Sequence, residues 1–399
     1  MRASYSRSYG MVPIYSGQWG TQGFNAYPTY ISSNVQLQPA VRLSQGVPPF
    51  PWALPDYRAD AANDTNADLF DVSGNVPVYQ SASLTVEREL PASIVMTLGV
   101  SYSGGKNLFL GSSGINPNAV PLDALEYRDR LNDEQFNRSL RPYPQYKSFD
   151  VYSAWAAGRY QRTESWVRVE KRITQGLSFA GTYEFARQLD DYSGPYGKQD
   201  YFNSQNEWSL TAGYVPQVVR ATYVYELPLG ANKPLLSFPD WRRHLFDGWS
   251  VSGVASLRTG EPLALRPQYN NTGGVVPALR VNVVPGVNAD VANRGPELWF
   301  NPVAFDQPAD FTLGNGPRTH PYLLTPGFQN YDLTVNKRMT LGTDRALEFS
   351  LAGFNFINHA NWNDPDTVIG PLDRPNVNAG KIINSFGGRV IQLGLRLSF

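Results

Sequence analysis

The sequence predicts an all-β fold, an antiparallel transmembrane β-barrel with long external loops and short periplasmic turns. Three observations lead there. About ten segments alternate apolar and polar residues with a period of two, which gives each strand one apolar and one polar face. The connections between these segments fall into a short class and a long class that alternate along the chain. No run of about 18 apolar residues occurs, so no helix of membrane length is expected.

Composition agrees with that reading. The 399 residues carry 34 basic and 34 acidic side chains, so no global field draws the chain to nucleic acid, and no such partner is expected. Charged residues make up only 17%, against about 25% in typical soluble domains. The 23 Tyr, 20 Phe and 9 Trp, with 35 Gly and 31 Pro, suit strands with aromatic belts and long loops. There is no cysteine, which removes disulfides, thiolate metal sites and a thiol nucleophile together. The opening MRASYSRSYGMVPIYS lacks the apolar core of a signal peptide.

In chain order, Arg2–Tyr9 places Ala3, Tyr5 and Tyr9 on one face as a short strand. Residues 10–75 are rich in Gly, Pro and Asn and read as an irregular loop. A loop this long counts against a compact soluble domain and is ordinary outside a membrane barrel. In 76–90, Val78, Ala82, Leu84, Val86 and Leu90 alternate with polar residues, and Pro91-Ala92 turns the chain. Segment 93–104 repeats the pattern with Ile94, Met96, Leu98, Val100 and Tyr102. Residues 105–158 are polar, with a helical turn expected in 122–136 and SGGKNL (103–108) read as a strand-exit turn. Strands follow at 159–173, 177–189, 217–228, 249–260 and 330–341, and at 345–358 with a phase switch near Gly353 that reads as a bulge. The last strand, RVIQLGLRLSF (389–399), sets Ile391, Leu393, Leu395, Leu397 and Phe399 on one face and Gln392, Gly394, Arg396 and Ser398 on the other.

If each strand reverses direction, the turns at 91–92, 174–176 and 342–344 all fall on the end where Phe399 lies, and the long loops fall on the other end. Outer-membrane barrels sort their connections this way, and a soluble Greek-key sandwich has no reason to. The polar faces carry Glu, Arg, Asp and Asn, which suit a wet lumen better than a dry core. Tyr183, Tyr223, Tyr225, Trp249 and Tyr331 sit on apolar faces, several near strand ends, as candidates for an interfacial aromatic girdle. Ordinary core packing is the alternative for them.

Several stretches resemble one family. They include VYQSASLTVERELPASIVMTLGVSYSGGKNL (78–108), RATYVYELPLG (220–230), DGWSVSGVASLRTGEPL (247–263), WFNPVAFDQPA (299–309), TPGFQNYDLTVNKR (325–338), EFSLAGFNFINHANW (348–362) and IQLGLRLSF (391–399). In order and spacing they are similar to the C-terminal barrel of Oar-like TonB-dependent receptors. Those transporters carry a carboxypeptidase-regulatory-like N-terminal domain. The resemblance implies a place in the outer membrane of a Gram-negative cell and a parent barrel of about 22 strands, of which this chain would be the C-terminal half. Residues 1–399 then form a single partial barrel domain, and no signal peptide, plug or TonB-contact segment has a counterpart in them. The partners implied are outer-membrane lipid, the outer-membrane assembly machinery, an unidentified bulky nutrient, and the TonB complex through a plug outside these residues. In the family, Phe399 with Leu397, Leu395, Leu393 and Ile391 looks like the signal that the assembly machinery reads. The first and last strands are expected to pair with each other in a narrower barrel or with strands from elsewhere.

No catalytic constellation emerges, so no enzyme activity and no cofactor are expected. The three histidines, His244, His320 and His359, accompany no nucleophile elbow. Asn358 and His359 are expected to bond loop backbone where a strand ends. Asn363, Asp364 and Asp366 carry oxygen donors without the spacing of a known calcium loop. Loop aromatics such as Trp52, Trp155, Trp208, Trp299 and Trp362 are read as caps of small loop clusters, with ligand contact as the alternative. Two other functions stay open at this level. One is an adhesive or structural surface protein that transports nothing, and the other is a soluble β-protein.

Overall fold

The computed structural model describes residues 1–10, 29–32, 37–49, 58–69, 71, 73–110, 114–151, 155–192, 197–231, 233–342 and 345–399. Ten strands form one antiparallel meander. They are β1 (Arg2–Tyr9), β2 (Val78–Leu90), β3 (Ile94–Leu110), β4 (Trp155–Thr174), β5 (Leu177–Asp190), β6 (Gln217–Glu226), β7 (Trp249–Arg258), β8 (Phe328–Thr340), β9 (Ala346–Phe354) and β10 (Val390–Ser398). Each pairs with the next, and the two-residue strand Ser209–Leu210 adds to the end of β5.

The register brings every apolar face to the same side. One cross-strand row runs Val86, Leu98, Val167, Tyr183, Val219, Leu257. Another runs Tyr225, Val251, Val335, Leu351, Leu393. A slip of one residue in any pair would break these rows, so the alternation in the sequence and the observed pairing support each other. The other face is polar. Arg338, Glu348 and Arg396 align across three strands, and Ser4 and Ser6 bond Ser83 and Ser81 at 2.7 Å.

The apolar face is bare. Val100 is 51% exposed and Leu395 72%. In a soluble sandwich that face would be the core; here no layer of the described residues covers it, and the solvent that fits it is lipid hydrocarbon. Among the buried apolar residues, only Val78, Leu108, Leu110, Ala186 and Ala346 belong to the ten strands. The packed core lies in the long connections, described below.

Two expectations need correction. The segment 103–108 does not leave the sheet. β3 continues through it to Leu110, with register shifts against β4 at Leu108 and Asn107 in a left-handed conformation (φ 56°). Gly104 and Gly105 lie against the Tyr102 and Tyr160 rings, where a Cβ would collide, so the glycines serve close packing inside the strand. Conversely, the strand expected over 345–358 stops at Phe354. β9 and β10 stay in register through Gly353–Ile391 and Phe354–Val390, and the chain then turns at Asn355 (φ 47°). The phase switch is a strand end; the register shifts lie instead in β3 near Leu108 and in β4 between Lys171 and Thr174.

The short connections are tight. Ala92 and Ser93 lie between β2 and β3, and Gln175 and Gly176 between β4 and β5, all with positive φ. Gly342 (φ 89°) opens the third turn, whose residues 343 and 344 lie outside the described residues, as do Trp52 and the glycines at 17, 20 and 23. The expected helical turn is present as a 3-10 segment, Leu122–Asn132, followed by the α-helix Glu134–Ser139, which Asp133 caps. Among the described residues no pairing joins β1 to β10, so both sheet edges are open.

Candidate functional site

The five aromatics singled out above share the bare face, at different heights. Trp249 and Tyr225 lie where β6 and β7 meet their shorter connection, and Tyr331 lies near the long-loop end of β8. Tyr183 and Tyr223 stand further from the strand ends and are exposed. The Trp249 indole donates to the Leu245 carbonyl at 2.7 Å. Register also puts Lys337 on this face, opposite Trp249. Its ammonium reaches the Asp247 carbonyl and lies 5.4 Å from the Trp249 ring, a snorkelling route to the strand end. On β10, Ile391, Leu393, Leu395 and Leu397 are all exposed on the same face, and Phe399 follows at 93%.

The long connections fold into a head with two apolar clusters. The larger joins Leu263, Val281, Phe300, Phe305, Leu323 and Ile369, from the connections after β7 and β9. The second packs Leu125 and Leu131 against Val276, Leu279 and Phe311. Trp299 and Trp362 meet edge to face at 6.0 Å in the first cluster, and Arg159 lies over the Trp208 ring at 5.2 Å. Trp299 and Trp362 therefore cap a cluster of the head itself, whereas Trp208 meets the Arg159 guanidinium instead.

Buried charge ties the connections together. Glu207 is fully buried, and its Oε1 accepts the N–H groups of Gln199 at 3.1 Å and Asp200 at 3.0 Å, while Oε2 receives Arg280. Arg318 donates to the Asp190 carboxylate at 2.5 Å, to its carbonyl at 2.7 Å and to the Glu207 carbonyl at 3.1 Å. Arg159 holds Asp191 at 2.9 Å. Lys198, 2% exposed, has its ammonium 3.4 Å from the Ser204 hydroxyl; burial pulls its pKa down, against the pull of Asp191 and Glu207. Asp190, Asp191, Asp200 and Glu207 thus balance Arg159, Lys198, Arg280 and Arg318, and such burial is tolerable because the charges are paired and bonded. No sequence motif predicts this network. The partners stand 73 and 128 residues apart in the two buried Arg pairs, so no local spacing announces them.

A cavity of about 680 Å³ opens where β7 and β8 reach the head. Phe328, Trp362 and Phe386 supply aromatic walls, and Arg258, Lys381, Glu261, Asp364 and Asp366 supply charge of both signs. The Oδ1 of Asn363, also in the wall, is buried with no hydrogen-bond partner among the described residues. Asp366, in contrast, is engaged: its oxygens accept Val368 N–H at 2.9 Å and Asn376 Nδ2 at 3.1 Å. Among the described residues no three His, Asp or Glu gather as a metal would require. At the end of β9, Asn358 accepts Arg389 N–H at 3.0 Å as expected, but His359 takes part through its backbone, held on both sides by Asn355. The His320 Nδ1 accepts two backbone N–H groups, from Tyr322 and Leu323, and burial lowers its pKa, so the ring is neutral. His244 lies on the short helix Arg243–Phe246 with Arg243 beside its ring, away from both cavity and head clusters.

A lipid-facing sheet, a polar inner wall and a packed head above it define a membrane-spanning β-barrel protein. The chain belongs to the outer membrane beta barrel domain family, whose model matches residues 1–392, and its place is the outer membrane of a Gram-negative cell. A search of the curated proteins found no match. Among solved structures, the outer membrane transporter YddB from Escherichia coli is similar at 8% identity and a TM-score of 0.41, over 84% of this chain and 34% of that one. FpvAI, in its complex with pyocin S2, is similar at 9% identity and a TM-score of 0.39, over 82% of this chain and 27% of that one. The chain thus spans about a third or less of the length of these proteins.

Proposed function

We propose that the chain is the C-terminal barrel portion of an Oar-like TonB-dependent receptor that takes up a bulky nutrient. The observation that supports it most is the cavity of about 680 Å³ set in a packed head, directly above the polar wall of a lipid-facing sheet. A preorganised recognition surface over a polar path is what a transporter needs. The walls supply binding and passage; no bond chemistry is assigned to them. Gating and energy would come from a plug that contacts TonB, and the open edges of β1 and β10 would pair with further strands of the barrel. In this reading Phe399 and the apolar residues of β10 are what the assembly machinery recognises, and removal of Phe399 lowers surface levels. Normal levels of that deletion would count against it. The test of uptake is accumulation of a panel of labelled solutes by cells with and without a functional TonB. TonB-dependent accumulation of at least one solute is expected.

The packed head also favours a second reading, a surface protein whose loops bind a partner and transport nothing. Cell adhesion that survives loss of TonB, with no solute taken up, would select it.

A further inference from the structure

A second concavity of about 440 Å³ lies on the polar face and shares Arg258 with the first. Its wall is built by register. Arg162 stands opposite Gln188, Arg220 opposite Thr182 and Arg258 opposite Val218, all on the inner side of β4 to β7. Residues 211–216 fold over it, anchored by Thr211 N–H to the Gln188 carbonyl at 3.0 Å and Ala186 N–H to the Pro216 carbonyl at 2.8 Å.

The lining holds three guanidinium groups and the carboxylate of Glu184, with Glu164 and Glu261 beside it, so charge is balanced and the excess is one of N–H donors. Each arginine is steadied by an acid without being consumed by it. Arg162 donates to Glu164 at 3.0 Å and Gln188 at 3.2 Å. Arg220 makes one long contact to Glu184 at 3.5 Å. Arg258 stands 3.6 Å from Glu261 and 5.9 Å from the centre of the Phe328 ring. A guanidinium carries five N–H donors in a rigid fork. Those contacts leave most of the donors without a partner among the described residues. Thr211, 7% exposed, adds a hydroxyl to the same lining that is buried without a hydrogen-bond partner among the described residues. Buried polar groups are normally satisfied, so an unsatisfied one beside a surplus of cationic donors marks a place for an acceptor.

We infer that Arg162, Arg220 and Arg258 line an anion-binding cleft on the inner wall, which takes the carboxylate or phosphate groups of an anionic transported solute at separate points along its length. The inference rests on the uptake reading for the word "transported" and on geometry alone for the anion. Charge-assisted bonds from Arg forks to such groups are short and directional, whereas a neutral sugar hydroxyl gains no comparable advantage.

The test uses the full chain inserted into phosphatidylcholine vesicles, with titration calorimetry against inorganic phosphate, citrate and sucrose. Saturable binding of phosphate or citrate, and none of sucrose, is expected; which anion binds distinguishes phosphate from carboxylate. Arg220→Gln and Arg258→Gln should each weaken it about tenfold or more, since a lost charged hydrogen bond is worth at least that. Arg220→Lys should retain part of the affinity. Arg168→Gln, on the same face but outside the cavity, should leave it unchanged. A heat-modifiability gel confirms that each variant is folded. No anion binding, or equal losses in Arg168→Gln and Arg220→Gln, would overturn the anion-binding cleft. Uptake of the same solutes by cells carrying the protein separates the two claims. Binding without any TonB-dependent uptake overturns the transport reading and leaves the cleft, and uptake without anion binding does the reverse.

Discussion

The sheet and the head solve opposite problems with one chain. In the sheet, apolar side chains face outward and stay exposed, and polar side chains face inward. In the head, the arrangement is that of a soluble domain. Phe300 and Ala304 are fully buried, and buried charges such as Glu207–Arg280 and Asp190–Arg318 are paired. The difference teaches where stability resides. Lipid stabilises the sheet from outside, so its order depends on register and alternation. Water surrounds the head, so its order depends on contacts between connections that are distant in sequence.

The comparison breaks most sharply at Glu207. Glu207→Gln replaces an acceptor that serves two N–H groups and Arg280, and leaves Arg280 unpaired. We expect a loss of about 3–5 kcal/mol of head stability, with the sheet intact. Hydrogen exchange and limited proteolysis should show protection lost in residues 197–211 and 275–281 while the heat-modifiability of the barrel is unchanged. Loss of both together would mean that the two regions are one cooperative unit.

On the sheet side, Leu395→Arg places a charge on the lipid face and should cost about 2–4 kcal/mol if that position is near the bilayer centre. Gln392→Arg, on the other face of the same strand, should show no comparable cost. Reversible folding into lipid vesicles measures both. A smaller effect is expected from Gly248→Ala. Gly248 has φ 70°, and a Cβ there would lie 2.2 Å from the Arg338 carbonyl oxygen. That combination of strain and collision should destabilise the start of β7 by about 1–3 kcal/mol in the same folding measurement.

These contrasts also explain what could be read in advance. The ten strands, their order and the sorting of short and long connections were legible, because a period of two and a run of turn residues are local signals. Strand ends were less so. β3 was expected to stop at SGGKNL, yet glycines packed against Tyr102 and Tyr160 carry it onward; β9 was extended past its end because Phe354 and Phe356 continue an apolar pattern through a turn. In the sequence the head has only the composition of irregular loop. Its core and ion pairs join residues from connections far apart, and nothing in the neighbourhood of Glu207 or Arg318 reveals their partners. Of the loop tryptophans, Trp299 and Trp362 were legible only as cluster-formers; that they would meet each other was not.

The smallest expected effect is a pH dependence confined to the head. Burial lowers the His320 pKa, so between its folded value and the ordinary histidine value the unfolded chain binds more protons. The contribution of His320 is therefore fully present above pH ~6.5 and falls as pH drops below it. His320→Gln should flatten that decline in head hydrogen exchange and leave the sheet's response unchanged.

The central claim is that the continuous apolar face meets lipid. The chain has no cysteine, so single cysteines can be introduced and spin-labelled without background. Labels placed in turn at positions 391 to 397 of β10, in lipid vesicles, report access to oxygen dissolved in the bilayer and to a water-soluble nickel chelate. The account predicts strict alternation, with 391, 393, 395 and 397 open to oxygen and closed to nickel, and 392, 394 and 396 the reverse. Equal nickel access at successive positions would contradict it.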